Sequence, residues 1–153
     1  MNMIKILITD DNPGIRVGVK QLISDEDEMM VSGEAETGMQ TMDLLKKNFY
    51  DLLILDVNLP DTNGFEILKN INISEIPIPV LILTVLPDEQ FAAKMIEAGA
   101  SGYLNKMDAS DNLICAIKKV MNGECYFKSS LSEELISSIR KVKGKNRSEK
   151  LQA

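Results

Sequence analysis

Short apolar runs alternate with amphipathic stretches along most of this chain, and the residue that ends each run is chemically pointed. Ile4–Thr9 is followed by Asp10 and Asp11, Leu52–Leu55 by Asp56, and Val80–Leu83 by Thr84. The short Tyr103–Leu104 stretch leads through Asn105 to Lys106. Alternation of this kind builds a parallel sheet with helices on its faces. Ligands of such sheets lie outside the carboxyl ends of the strands. Three carboxylates, a hydroxyl and an ammonium should therefore share one crevice.

The pattern predicts five strand–helix pairs by about residue 122. Strand one, Ile4–Thr9, feeds a helix with Pro13 near its first turn, running to about Ser24. Met29–Gly33 reads as a weaker second strand, and Thr37 as the cap of a helix reaching about Asn48. Leu52–Asp56 is apolar along its length, which suits a central strand covered on both faces. A loop with Pro60 leads to a helix from about Gly64 to Ile71. Strand Val80–Thr84 follows, then a helix capped by Asp88 and closed by Gly99. Gly102–Asn105 reads as a short strand near an edge, with Ser110 capping the last helix. Residues 1–122 thus form one domain. Residues 123–153 read as a linker holding a brief extended piece at Cys125-Tyr126-Phe127, a sixth helix at about 132–142 and a basic tail.

With 153 residues the chain can bury one core without disulfide staples. No apolar stretch approaches a membrane span, and the start lacks a secretory pattern, so a cytoplasmic location is expected. Cys115 and Cys125 form no C-x-x-C pair and read as reduced thiols. The chain has no histidine, which removes histidine-based nucleophilic triads and the usual histidine-bearing zinc sites. The net charge is −6, yet from Arg140 onward there are six basic residues and one acid, leaving −11 on residues 1–139. An acidic body of this kind does not attract nucleic acid.

Taken singly, Asp10-Asp11 would be a turn or cap, Thr84 a strand terminus and Lys106 a solvated lysine. Their joint placement at successive strand ends points elsewhere. Clustered carboxylates disfavour one another's ionised form unless a cation joins them. An all-oxygen donor set suits Mg²⁺, with Mn²⁺ also compatible.

These residues resemble the receiver domain of two-component response regulators. The resemblance covers about residues 3–122 and rests on Asp10-Asp11, on Asp56 within Leu-Asp-Val-Asn-Leu-Pro-Asp-Thr-Asn-Gly, on Thr84, and on Lys106 after Gly-Tyr-Leu-Asn. It implies a flavodoxin-like, doubly wound five-stranded parallel sheet in the order 2-1-3-4-5, with helices on both faces. It further implies that Asp56 accepts a phosphoryl group from a sensor histidine kinase or phosphotransfer protein. Asp11 would bind Mg²⁺ directly, Asp10 mainly through water, and the Asn58 carbonyl would add a ligand. Lys106 would neutralise the phosphoryl group, Thr84 would sense it, and Tyr103 would act as the switch aromatic. Such a chain would catalyse only its own phosphorylation and slow autodephosphorylation, and could pair as a homodimer once phosphorylated.

Two positions depart from the family pattern. Val85 stands where a small residue is usual, which suggests a gate over the phosphoryl group. Met107 stands where many receivers have proline. This, with Asn-Gly-Glu-Cys-Tyr-Phe, is nearer to the subgroup with a LuxR-type helix-turn-helix output domain. The expectation is therefore the receiver part of a transcriptional regulator, whose DNA contacts would lie in an output domain outside this chain. A complete single-domain receiver acting by protein contacts alone is the alternative. A flavodoxin is disfavoured because Asp10-Asp11-Asn12 would repel a flavin phosphate. A haloacid-dehalogenase-type phosphatase would carry Asp-x-Asp on strand one, whereas this chain has Asp56-x-Asn58 after strand three.

Overall fold

In the computed structural model, which describes residues 3–85 and 89–127, strands and helices alternate as expected. Strand β1 (Ile4–Thr9) leads to α1 (Pro13–Ser24), β2 (Met29–Ala35) to α2 (Gly38–Lys47), and β3 (Leu52–Leu55) to α3 (Gly64–Ile73). Then come β4 (Val80–Thr84), α4 (Glu89–Glu97), β5 (Gly102–Asn105), a 3₁₀ turn (Lys106–Asp108), α5 (Ala109–Met121) and β6 (Tyr126–Phe127). All the pairings are parallel, in the order β2-β1-β3-β4-β5-β6.

The central runs look uniformly apolar because both of their faces are covered. Along β3, Leu53 and Leu55 pack with Ile67, Leu68, Ala92 and Met95 from α3 and α4. Leu52 and Ile54 pack on the other side with Val19, Ile23, Leu113 and Ile117 from α1 and α5. The period of two is thus present, but both phases are hydrophobic. Each such side chain, wholly removed from water, contributes about 1.5–3 kcal/mol.

Local chemistry sets the helix starts. Asn12 accepts from Gly14 N at 2.8 Å with Pro13 following it, Thr37 from Gln40 N at 3.1 Å, and Asn63 from Glu66 N at 3.1 Å. Each satisfies an amide that the helix itself leaves unpaired. Gly99, at φ +114°, follows α4 in a backbone conformation that side chains resist.

The structure corrects two expectations. The sheet has six strands rather than five: Tyr126–Phe127 pairs with Gly102 and Tyr103, so β5 lies near the edge, as expected, but is followed there by β6. Two residues are too few for a strand period to show in the sequence. Ser110 does not cap α5. The Asn105 side chain accepts from Met107 N at 2.9 Å and starts the 3₁₀ turn, which runs straight into the helix at Ala109. Cys115 is an exposed free thiol and Cys125 a half-buried one. Among the described residues no helix is long and apolar enough to cross a membrane. Asp88 and the helix expected at 132–142 lie outside the described residues.

Candidate functional site

The crevice is built where the ladder runs out. Asp10 N donates to Ala35 O at 3.1 Å and Asp56 N to Thr9 O at 2.9 Å, so both carboxylates continue the ends of neighbouring strands. One carboxylate oxygen from each of Asp10, Asp11 and Asp56 lies within 4.8 Å of the others. Asp10 and Asp56 are buried and Asp11 is exposed. This donor set of clustered carboxylate oxygens, open on the Asp11 side, fits Mg²⁺, which favours oxygen ligands while keeping several waters.

Lys106 enters from the end of β5. Its Nζ stands 2.8 Å from Asp10 Oδ2 and 3.2 Å from Asp56 Oδ2. The 3₁₀ turn makes this approach, and the Asn105–Met107 hydrogen bond holds the turn. Proline at position 107 could not donate that bond. The sequence departure at Met107 therefore has a local structural use.

Burial pushes the Asp56 carboxyl above the usual carboxylate range, and the neighbouring Asp10 charge adds to the effect; Lys106 opposes it. Lys106 itself is raised: burial pulls it down, but its bonds to Asp10 and Asp56 outweigh that. The site is thus an incompletely neutralised pair of buried carboxylates sharing one ammonium.

Thr84 is fully buried at the end of β4, in register with Asn105. Tyr103 is also buried, its ring edge-on to Phe91 of α4 at 6.4 Å between centroids. Phe91 meets Phe65 of α3 in turn at 5.5 Å. This aromatic row was not visible in the sequence, because its members are far apart along the chain. Val85 is exposed beside Thr84. Asn58 lies on the loop after β3, its amide 3.4 Å from Asp56 Oδ1.

Two further groups escaped sequence reasoning. Arg16 Nη1 donates to the Asp10 carbonyl at 2.6 Å while the same guanidinium pairs with Glu34 and Glu36 on or beside β2. Asp61 reaches from the β3–α3 loop to the start of α2. Neither contact has a spacing that a sequence could display.

Residues 6–118 match the response regulator receiver domain family. The chain is 33% identical over 141 residues to the transcriptional regulatory protein DegU of Brevibacillus brevis, covering 92% of this chain and 60% of that protein. It is 30% identical over 136 residues to the response regulator UvrY of Escherichia coli K12, covering 89% of this chain and 62% of that protein. The chain thus spans about 60% of the length of these curated relatives. The crystal structure of a LuxR-family two-component response regulator from Aurantimonas sp. SI85-9A1 superposes with a TM-score of 0.78 at 27% identity, over 93% of this chain and 99% of that one. The unphosphorylated receiver domain of RcsB from Escherichia coli shares the fold with a TM-score of 0.79 at 21% identity, over 84% and 100% of the two chains. On this match the chain belongs to the response regulator receiver family, with the LuxR-type regulators among its relatives.

Proposed function

We propose that this receiver is a phosphoaspartate switch, with Asp56 as acceptor and a phosphohistidine on a separate kinase or phosphotransfer protein as donor. The observation that carries the reading is the Lys106 ammonium shared between Asp10 and Asp56, with Asp11 alongside. Residues 1–153 hold no histidine, so the donor imidazole lies outside them.

Asp10, Asp11, Asp56 and the Asn58 carbonyl would hold Mg²⁺. When bound, it supplies positive charge that offsets the carboxylates and the oxygens of the group being transferred. An Asp56 oxygen attacks phosphorus, the O–P bond forming as the N–P bond of the phosphohistidine breaks. The electron pair leaves on the imidazole nitrogen, which takes up a proton. Lys106 turns from the Asp56 carboxylate to a phosphoryl oxygen without leaving the crevice. Electrostatic positioning of this kind is most of what phosphoryl transfer asks of a protein.

The acyl phosphate carries about −2 charge where a single carboxylate carried about −1. The Thr84 hydroxyl donates to it, and the space around Tyr103 and Phe91 repacks. The surface made by α4, β5 and α5 then changes its contacts, including pairing with a second copy. In a protein that regulates transcription, as the relative DegU is named, this surface passes the signal to a DNA-binding domain. Val85 gates access to the phosphoryl group.

Treatment with acetyl phosphate and Mg²⁺ tests the reading against phosphatase chemistry. A switch takes up one equivalent and turns over no general phosphomonoester. Continuous phosphomonoester hydrolysis would overturn it.

A further inference from the structure

The β3–α3 loop closes on itself at its base but is secured at its tip by a different element. Gly64 N donates to Val57 O at 2.9 Å, Leu59 N donates to Thr62 O at 3.2 Å, and Asn58 and Asn63 form an isolated antiparallel bridge. Beyond this base, Asp61 reaches the first turn of α2. Its Oδ1 accepts from Gly38 N at 2.8 Å and its Oδ2 from Met39 N at 3.0 Å. One carboxylate thus satisfies two amides that α2 leaves unpaired, at the helix end that favours negative charge. These N–H groups hold the Asp61 carboxyl below the usual range, Gly38 contributing most. Contact at Gly38 is so close that a Cβ there would overlap the Thr62 Cγ2 methyl.

We propose that Asp61 and Gly38 act as a clamp between α2 and the β3–α3 loop, positioning Asn58 for the metal site. The proposal rests on the reading of the crevice as a Mg²⁺ site. Asp61 touches neither the metal nor the phosphoryl group and is a positioning residue. Its effect follows from population: a site whose competent shape is only partly populated binds more weakly by that fraction.

The test uses hydrogen exchange of the loop in chelator-treated protein and calorimetric titration with Mg²⁺ alone. Asp61→Ala should speed exchange across residues 57–63 and weaken Mg²⁺ binding roughly three- to tenfold, the scale of a lost cap. Asp61→Asn, which keeps one acceptor, should recover part of both. Gly38→Ala should reproduce the defect although alanine favours helix. Adding Thr62→Ser, which removes the obstructing methyl, should reverse it. Unchanged loop exchange in Asp61→Ala, or faster exchange with wild-type Mg²⁺ affinity, would overturn the clamp. Wild-type protein that binds no Mg²⁺ would overturn the proposal together with the site reading. Wild-type protein that binds Mg²⁺ but accepts no phosphoryl group would overturn only the phosphoacceptor reading. The clamp would then stand or fall on exchange and affinity.

Discussion

Lys106 Nζ lies 3.2 Å from Asp56 Oδ2, joining residues fifty positions apart at the ends of β5 and β3. The same nitrogen lies closer still, at 2.8 Å, to Asp10 Oδ2. The ammonium is therefore a single charge set against two buried carboxylates at once.

Removing it should expose the repulsion it offsets. Lys106→Met leaves Asp10 and Asp56 facing each other without a counter-charge, and should lower stability by about 1–3 kcal/mol, less than a wholly buried pair would lose. Millimolar Mg²⁺ should restore much of the loss, because a ligand bound only by the folded state stabilises it. Urea unfolding with chelator and with Mg²⁺ checks both parts.

The opposite change should relieve the strain. Asp56 carries a desolvated charge beside Asp10, so Asp56→Asn should stabilise the chelator-treated protein. A rise of roughly 2–4 °C in Tm corresponds to about 1 kcal/mol for a chain of this size. Mg²⁺ should narrow the gap between variant and wild type, since the ion removes the same repulsion. Calorimetry of the two proteins, with and without Mg²⁺, measures it.

Met107 is exposed, yet its amide is engaged by Asn105. Met107→Pro deletes that donor and disfavours the helical backbone of Lys106 just before it. A cost of about 1–2 kcal/mol is expected. Asn105→Ala should cost clearly less in the proline background than in wild type, because its partner is already gone. A double-mutant cycle by thermal unfolding reads the difference.

Asp61 supplies the pH dependence. Its folded pKa is depressed below the ordinary carboxylate value by the Gly38 and Met39 amides, so the unfolded chain binds the proton more readily. The clamp's contribution is present above that unfolded value and is lost as pH falls through the lower folded value. Wild type should therefore exceed Asp61→Ala in stability at neutral pH, with the two converging in acid. Urea midpoints across this range test the convergence.

Much of this arrangement was legible in the sequence, for a physical reason. Parallel strands covered on both faces read as apolar runs, and their ends mark the ligand edge. Asp10, Asp11, Asp56, Thr84 and Lys106 could be located from this alone. Contacts between loops carry no such period. Asp61 on Gly38 and Arg16 on the Asp10 carbonyl depend on how separate elements dock, and only the fold brings them together. The extended piece at Tyr126–Phe127 was legible, but its pairing with β5 was not, because two residues cannot display an alternation; Ser110 was misplaced as a cap because Asn105 had already begun the turn.

Intact-mass measurement after incubation with acetyl phosphate and Mg²⁺, on wild type and Asp56→Asn side by side, tests the central claim most directly. One added phosphoryl group on wild type, absent from the variant and absent in chelator, is the expected result. Equal labelling of the two proteins would contradict the assignment of Asp56.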